Sequence, residues 1–301
     1  MADTPHDSTS IGNPPFDWLF SFGMPKCGTT TLGALLALGP GLALHNAKEP
    51  NDFISESVED LPRLSGYKIT NATRWLVDLS TQYGMPRYRD EVLDKIAALG
   101  LLKRARFVLS MRPPEAVASS YFEHLTTRSG LTATDDSEEI RSRIDGATDF
   151  ITVLDTLIAR VKPEQIYVVK FEDLIGIEAQ RHTMAGLSDW LGVAPIVPTA
   201  AMERNTAGQA RSYPSSLETL AGRIRQLDAI RRLSPGLRSR ISRLLTQRVT
   251  RPTESFCPRL WTDPGLLSRS SELYAALSTG PLPSAVTPYY RSGTAHSRKH
   301  Q

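Results

Sequence analysis

The stretch GMPKCGTTTL, residues 23–32, sets a lysine and a cysteine between two glycines and follows them with three threonines. It is close to a nucleotide-binding phosphate loop, in which the lysine directly follows the second glycine. Here Thr29 takes that place and the lysine, Lys26, stands inside the loop. A glycine-rich turn between a strand and a helix offers backbone N–H groups as a concave anion site, reinforced by the positive end of the helix. Gly28 allows close backbone approach, and Thr29, Thr30 and Thr31 add hydroxyl donors, so a phosphate or sulfate is the expected guest. Nucleotide triphosphatase chemistry would also need magnesium held by an acid at a later strand end. The strand candidate ARFVLSM runs instead into Arg112. The expected ligand is therefore a nucleotide with one short 5′ anionic group, neutralised by protein cations without metal.

Arg112 stands just before Pro114, a residue suited to the first position of a helix. A cation beside a helix N-terminus makes a second anion site. Two such sites on one sheet point to a ligand with phosphates at both ends of a nucleoside.

The elements that must position these groups follow from pattern. Short apolar runs predict strands over 17–22, 66–70, 75–79, 105–111 and 166–171, alternating with helices over 29–38, 87–99, 114–125, 137–161 and 178–191. Gly100 and Gly192 suit positions just past helix ends. Alternation of this kind predicts a three-layer α/β fold of the P-loop kind, with a central parallel sheet flanked by helices. Residues 126–136 are polar and turn-rich and read as a loop. From about residue 215 the pattern becomes helical and Arg-rich, which predicts a helical C-terminal extension. Nine arginines lie between 222 and 251 with Asp228 as the only acid. They read either as solvated helix faces or as a basic wall for an anionic acceptor or a membrane surface.

With 40% hydrophobic and 22% charged residues among 301, the chain can bury a substantial core. The expected organisation is a disordered lead-in over 1–15, one domain over 16–285 and a flexible basic tail over 286–301. Two cysteines far apart imply neither a disulfide framework nor a zinc cluster. No leader-like apolar region opens the sequence and no run approaches 18 apolar residues, so a cytoplasmic protein without a membrane span is expected. A net charge of +3 does not call for a nucleic-acid partner.

These motifs together resemble the sulfotransferases that use 3′-phosphoadenosine 5′-phosphosulfate (PAPS). PKCGTTTL (25–32) resembles the family's 5′-phosphosulfate loop, and RPPEAVASSY, with Arg112, Pro114 and Ser120, resembles its 3′-phosphate motif. A basic residue often found midway in that motif is replaced by Val117. KEPNDF (48–53) is similar to a Lys-Glu-Pro stretch of the carbohydrate and bacterial branches. DLSTQY (78–83) is similar to their acidic residue before Ser-Pro-x-Tyr, with Asp78 for the usual Glu and Thr81 for Pro. VVKFEDL (168–174) followed by LSDWLG (187–192) fits the family's closing strand and helix.

The resemblance implies sulfuryl transfer from PAPS to a hydroxyl of a saccharide or natural-product acceptor, leaving adenosine 3′,5′-bisphosphate (PAP) and needing no metal. It implies that Lys26 faces the breaking bond, with Cys27, Gly28, Thr29, Thr30 and Thr31 around the 5′-phosphate and Arg112 and Ser120 at the 3′-phosphate. Asp78 is then the expected general base with Lys48 beside it, and His45 is the rival base. Glu49 reads as structural, and Cys27 as loop packing. Two rival functions stand beside this one: a metabolite kinase with a degenerate phosphate loop, and a non-catalytic PAP-binding protein on a decayed frame.

Overall fold

The structure, a computed structural model, describes residues 16–58, 66–128, 137–202, 211–212, 247–248 and 262–283. Strands β1 (Asp17–Ser21), β2 (Leu42–Leu44), β3 (Trp75–Asp78), β4 (Arg106–Met111), β5 (Ile166–Lys170) and β8 (Gly280–Pro281) form one sheet in the order β2-β3-β1-β4-β5-β8. The first five run parallel and β8 pairs antiparallel with β5. Asp17 and Phe20 of β1 lie opposite Trp75 and Asp78 of β3. A separate two-residue ladder joins β6 (Arg211–Ser212) to β7 (Gln247–Arg248).

The two faces of the sheet are covered by different helices, as alternating side chains require. Leu19, Val77, Val108 and Val169 pack against α1 (Thr29–Leu36) and α7 (Ile177–Leu191). Phe20, Leu76, Phe107 and Val168 face α3 (Arg89–Ala98) and α6 (Phe150–Arg160). The short α2 (Asp52–Ser55) joins that second face through the fully buried Phe53, whose ring lies 5.1 Å edge-on from Phe20. Helices α4 (Pro114–Arg128) and α5 (Ser137–Thr148) pack on one another around Leu125, Ile140 and Ile144. Helix α8 (Pro264–Ala276) leads into β8. There Thr279 accepts from the Lys170 N–H at 2.9 Å and donates to Asp173 at 2.6 Å. The fold is thus α/β in three layers, with a mostly parallel six-stranded sheet. Among the described residues, no helix is long and apolar enough to cross a membrane.

Several expectations change, and one strand is new. Residues 66–70 form no strand, because only an isolated bridge from His45 to Tyr67 pairs them and Lys68, Ile69 and Thr70 are exposed. The helix expected over 137–161 is two helices. Asp149 interrupts it by capping α6, its carboxylate accepting from the Thr152 N–H at 3.0 Å. The edge strand β2 had no expectation, since three residues are too few to show a period. Of the loop expected over 126–136, residues 126–128 continue α4. Residues 129–136, the lead-in 1–15, the tail 286–301 and most of the Arg-rich stretch lie outside the described residues.

Candidate active site

In an open parallel sheet, ligands settle at the carboxyl ends of strands where the connections part to opposite sides. Strand β1 connects towards β2 and β4 towards β5, so that point lies between the neighbouring β1 and β4. The loop after β1 carries Lys26 and the loop after β4 carries Arg112. The start of the first loop is laced onto β4 itself: the Phe22 N–H donates to Val108 at 2.9 Å and the Met24 N–H to Ser110 at 3.2 Å. A Cβ at Gly23 would sit 2.0 Å from the Ser110 nitrogen, so only glycine allows this contact.

The first loop twists twice into left-handed backbone, at Lys26 (φ 68°) and Gly28 (φ 85°). Such a conformation at a lysine is unfavourable and is typical of sites built for a ligand. Gly28 caps α1 without a side chain, and the first turn of that helix holds no acid. The N-terminal end therefore keeps its positive field. Lys26 and Thr30 are half-buried and Thr29 and Thr31 are buried. Cys27 is fully buried, with Sγ 3.6 Å from the Pro25 carbonyl, and burial pushes its thiol far above the ordinary range. A thiol held neutral in this way is no nucleophile; Cys27 can offer an anion only its backbone.

Phe171, from the short 3₁₀ turn Phe171–Leu174 after β5, touches both anion loops. The Arg112 guanidinium lies 4.3 Å from its ring centroid, and a Cβ on Gly28 would come within 2.9 Å of the same ring. One aromatic ring thus separates the two cradles. Ser120 is half-buried on α4, six residues after Pro114, about 9 Å along the helix axis. Val117 is fully buried in the core, so that position contributes packing and no phosphate contact.

A cleft opens between the first turns of α1 (Thr29, Thr30, Gly33) and the segment after β2 (His45, Lys48), floored by Val77 and Leu79. It brings His45 and Lys48 to the phosphate loop. The His45 ring packs edge-on against Tyr67 at 5.0 Å, and its Nδ1 accepts from the Ala47 N–H at 3.0 Å. Lys48 Nζ lies 3.2 Å from Glu49 Oε1.

Asp78 is not on that cleft. It is fully buried, and its oxygens are occupied: Oδ1 accepts from the Ser80 N–H at 2.9 Å and the Ser80 hydroxyl at 2.6 Å, and Oδ2 from the Tyr83 hydroxyl at 2.7 Å. Burial raises its carboxyl to about 6, against the opposing pull of the Ser80 and Tyr83 hydrogen bonds. The carboxylate that does reach solvent is Glu49, whose side chain is 26% exposed, with Oε2 accepting from the Thr81 hydroxyl at 3.1 Å. The sequence pattern gave Glu49 a structural role and Asp78 that of the base; the structure leaves Glu49 the more accessible of the two carboxylates.

No protein-family model matches the chain, and no curated protein matches it. Three solved structures that resemble it are sulfotransferases. One from Alicyclobacillus acidocaldarius is 17% identical with a TM-score of 0.50, over 75% of this chain and 99% of that one. The sulfotransferase domain of a Synechococcus olefin synthase is 16% identical with a TM-score of 0.45, over 90% of this chain and 100% of that one. A sulfotransferase from Mycobacterium avium is 11% identical with a TM-score of 0.40, over 61% and 66%. At such identity the first of these speaks for the fold, and the site rests on its own geometry.

Proposed function

We propose that the chain is a sulfotransferase that moves the sulfuryl group of PAPS to a hydroxyl of a small-molecule acceptor, a saccharide or another natural product. The observation that carries this is the pair of anion cradles, around Lys26 and Arg112, at adjacent strand ends and in contact with the same Phe171 ring. A nucleoside with phosphate groups at both ends suits two cradles so close. The donor set fits such a ligand, being backbone N–H groups, threonine hydroxyls, a lysine and an arginine, with no acid in the first turn of α1.

The chemistry is an in-line displacement. The acceptor oxygen forms its bond to sulfur as the bond from sulfur to the bridging phosphate oxygen breaks, leaving PAP. Lys26 stabilises the charge that gathers on the bridging oxygen, which accounts for a lysine inside the loop. The Thr29 and Thr30 amides hold the 5′-phosphate, with Thr31 one residue further along the same turn. Arg112 holds the 3′-phosphate, with Ser120 as its hydroxyl partner. The acceptor's proton passes to Glu49 and not directly to Asp78, because Asp78 offers no open oxygen while Glu49 is partly solvated beside Lys48. Lys48 balances charge at the acceptor. His45, on the same cleft, is the alternative base.

The test is incubation with isotopically labelled PAPS and a panel of saccharides, lipids and phenols, read by mass spectrometry for a sulfonate gain. Transfer to one class, lost in Glu49→Gln and kept in His45→Ala, is the expected result. PAP binding with no transfer to any acceptor would support the non-catalytic rival, and magnesium-dependent ATP turnover would support the kinase.

A further inference from the structure

We propose that Asp78 is a positioning residue, which fixes the Glu49–Phe53 segment through the hydroxyls of Ser80 and Tyr83. Ser80 Oγ donates to Asp78 Oδ1 at 2.6 Å and accepts from the Asn51 N–H at 2.9 Å. Tyr83 Oη donates to Asp78 Oδ2 at 2.7 Å and accepts from the Phe53 N–H at 3.3 Å. The direction of both chains is forced: a backbone N–H only donates and a carboxylate only accepts, so each hydroxyl proton points at Asp78. Between these two anchors, Thr81 donates to Glu49 Oε2 at 3.1 Å. Residues 80, 81 and 83 of one turn thus grip residues 51, 49 and 53 of the other.

Asn51 sits in left-handed backbone (φ 56°, ψ 26°), a region that asparagine tolerates better than most residues with a Cβ. Phe53 is locked into the aromatic core against Phe20 and Trp18. Just before Asn51 stand Lys48, which lines the cleft, and Glu49, which pairs with it. An apolar side chain at 78 would fill the core more cheaply than a carboxylate sealed from water. The carboxylate is explained by the two hydroxyls it orients.

The kinetic part of the test rests on the sulfotransferase reading; the exchange part does not. Amide hydrogen exchange is followed at Asn51 and Phe53 in the wild type, Ser80→Ala, Tyr83→Phe and Asp78→Asn. The proposal expects exchange at these two amides to quicken at least about tenfold in each variant that folds, with strand β3 unchanged. In Asp78→Asn, where the amide nitrogen can no longer accept from Tyr83, PAP affinity should stay within about twofold while kcat falls at least about tenfold. Glu49→Gln should then cost much less in the Asp78→Asn background than alone, since residues acting through one another are not additive. Unchanged exchange at both amides, or full additivity of Asp78→Asn with Glu49→Gln, overturns the proposal. Should Asp78→Asn fail to fold, Tyr83→Phe and Ser80→Ala decide it by the same readouts. A wild type that neither binds PAP nor transfers sulfonate would sink the enzyme reading and leave the exchange result to judge Asp78.

Discussion

Two charged residues in the same small region are treated oppositely by their surroundings. Lys26 is half-exposed, in strained backbone, at the positive end of α1. A cation held there, at the positive end of a helix whose first turn holds no acid, suits an anionic guest. Lys26→Ala should therefore lower turnover at least ~10²-fold, as loss of one preorganised donor does elsewhere; steady-state kinetics with saturating PAPS reads it. Asp78 is the reverse, an acid sealed in the core. Its folded value of about 6 lies above its ordinary 3.8, so between those values the folded state holds its proton more firmly than the unfolded chain. Stability from this group is then present below about pH 4 and declines as pH rises towards 6, by about 3 kcal/mol in all. The Asp52 carboxylate adds a smaller push in the same direction. Urea denaturation at pH 4 and pH 7 checks it. The wild type should lose more stability over that interval than Asp78→Asn, and equal losses would contradict the assignment.

At the scale of elements, the turn from β1 into α1 is where sequence and geometry agree most closely. Gly28 has φ 85°, and a Cβ there would also press on Phe171 and Leu174 at 2.9 and 3.0 Å. Gly28→Ala should cost about 1–2 kcal/mol in backbone strain alone, a fall of roughly 2–8 °C in melting temperature. It should also weaken PAP binding, because the displaced ring underlies Arg112. Calorimetry on the folded variant measures the second effect. The sheet and its helices were legible because strands buried on both faces read as apolar runs, and α3 and α7 keep helical periods with Gly100 and Gly192 past their ends. The break at Asp149 was not, because a capping carboxylate inside a long helical pattern looks like one more polar position. Nor was the relay from Asp78 to Asn51 and Phe53, since it depends on a turn folding back across about thirty residues of sequence. The turns that carry Lys26 and Arg112 stood out in the sequence because each is local. The burial of Asp78 and the exposure of Glu49 did not, because segments far apart in sequence set them.

Over the whole molecule, the sheet order does the work of assembly. Placing β1 beside β4 brings two loops, about ninety residues apart in sequence, to one crevice, and the turn after β5 supplies the ring between them. The antiparallel β8 and Thr279 tie residues 279–281 onto β5 and that same turn. Such an arrangement should read both ends of one nucleotide. Isothermal calorimetry of PAP and of adenosine 5′-monophosphate, both without magnesium, tests this most directly. PAP should bind at least about tenfold more tightly, the value of one charge-assisted contact to the 3′-phosphate, and Arg112→Ala should erase the difference. Equal affinity for the two nucleotides in the wild type, or no binding of PAP, would contradict the account.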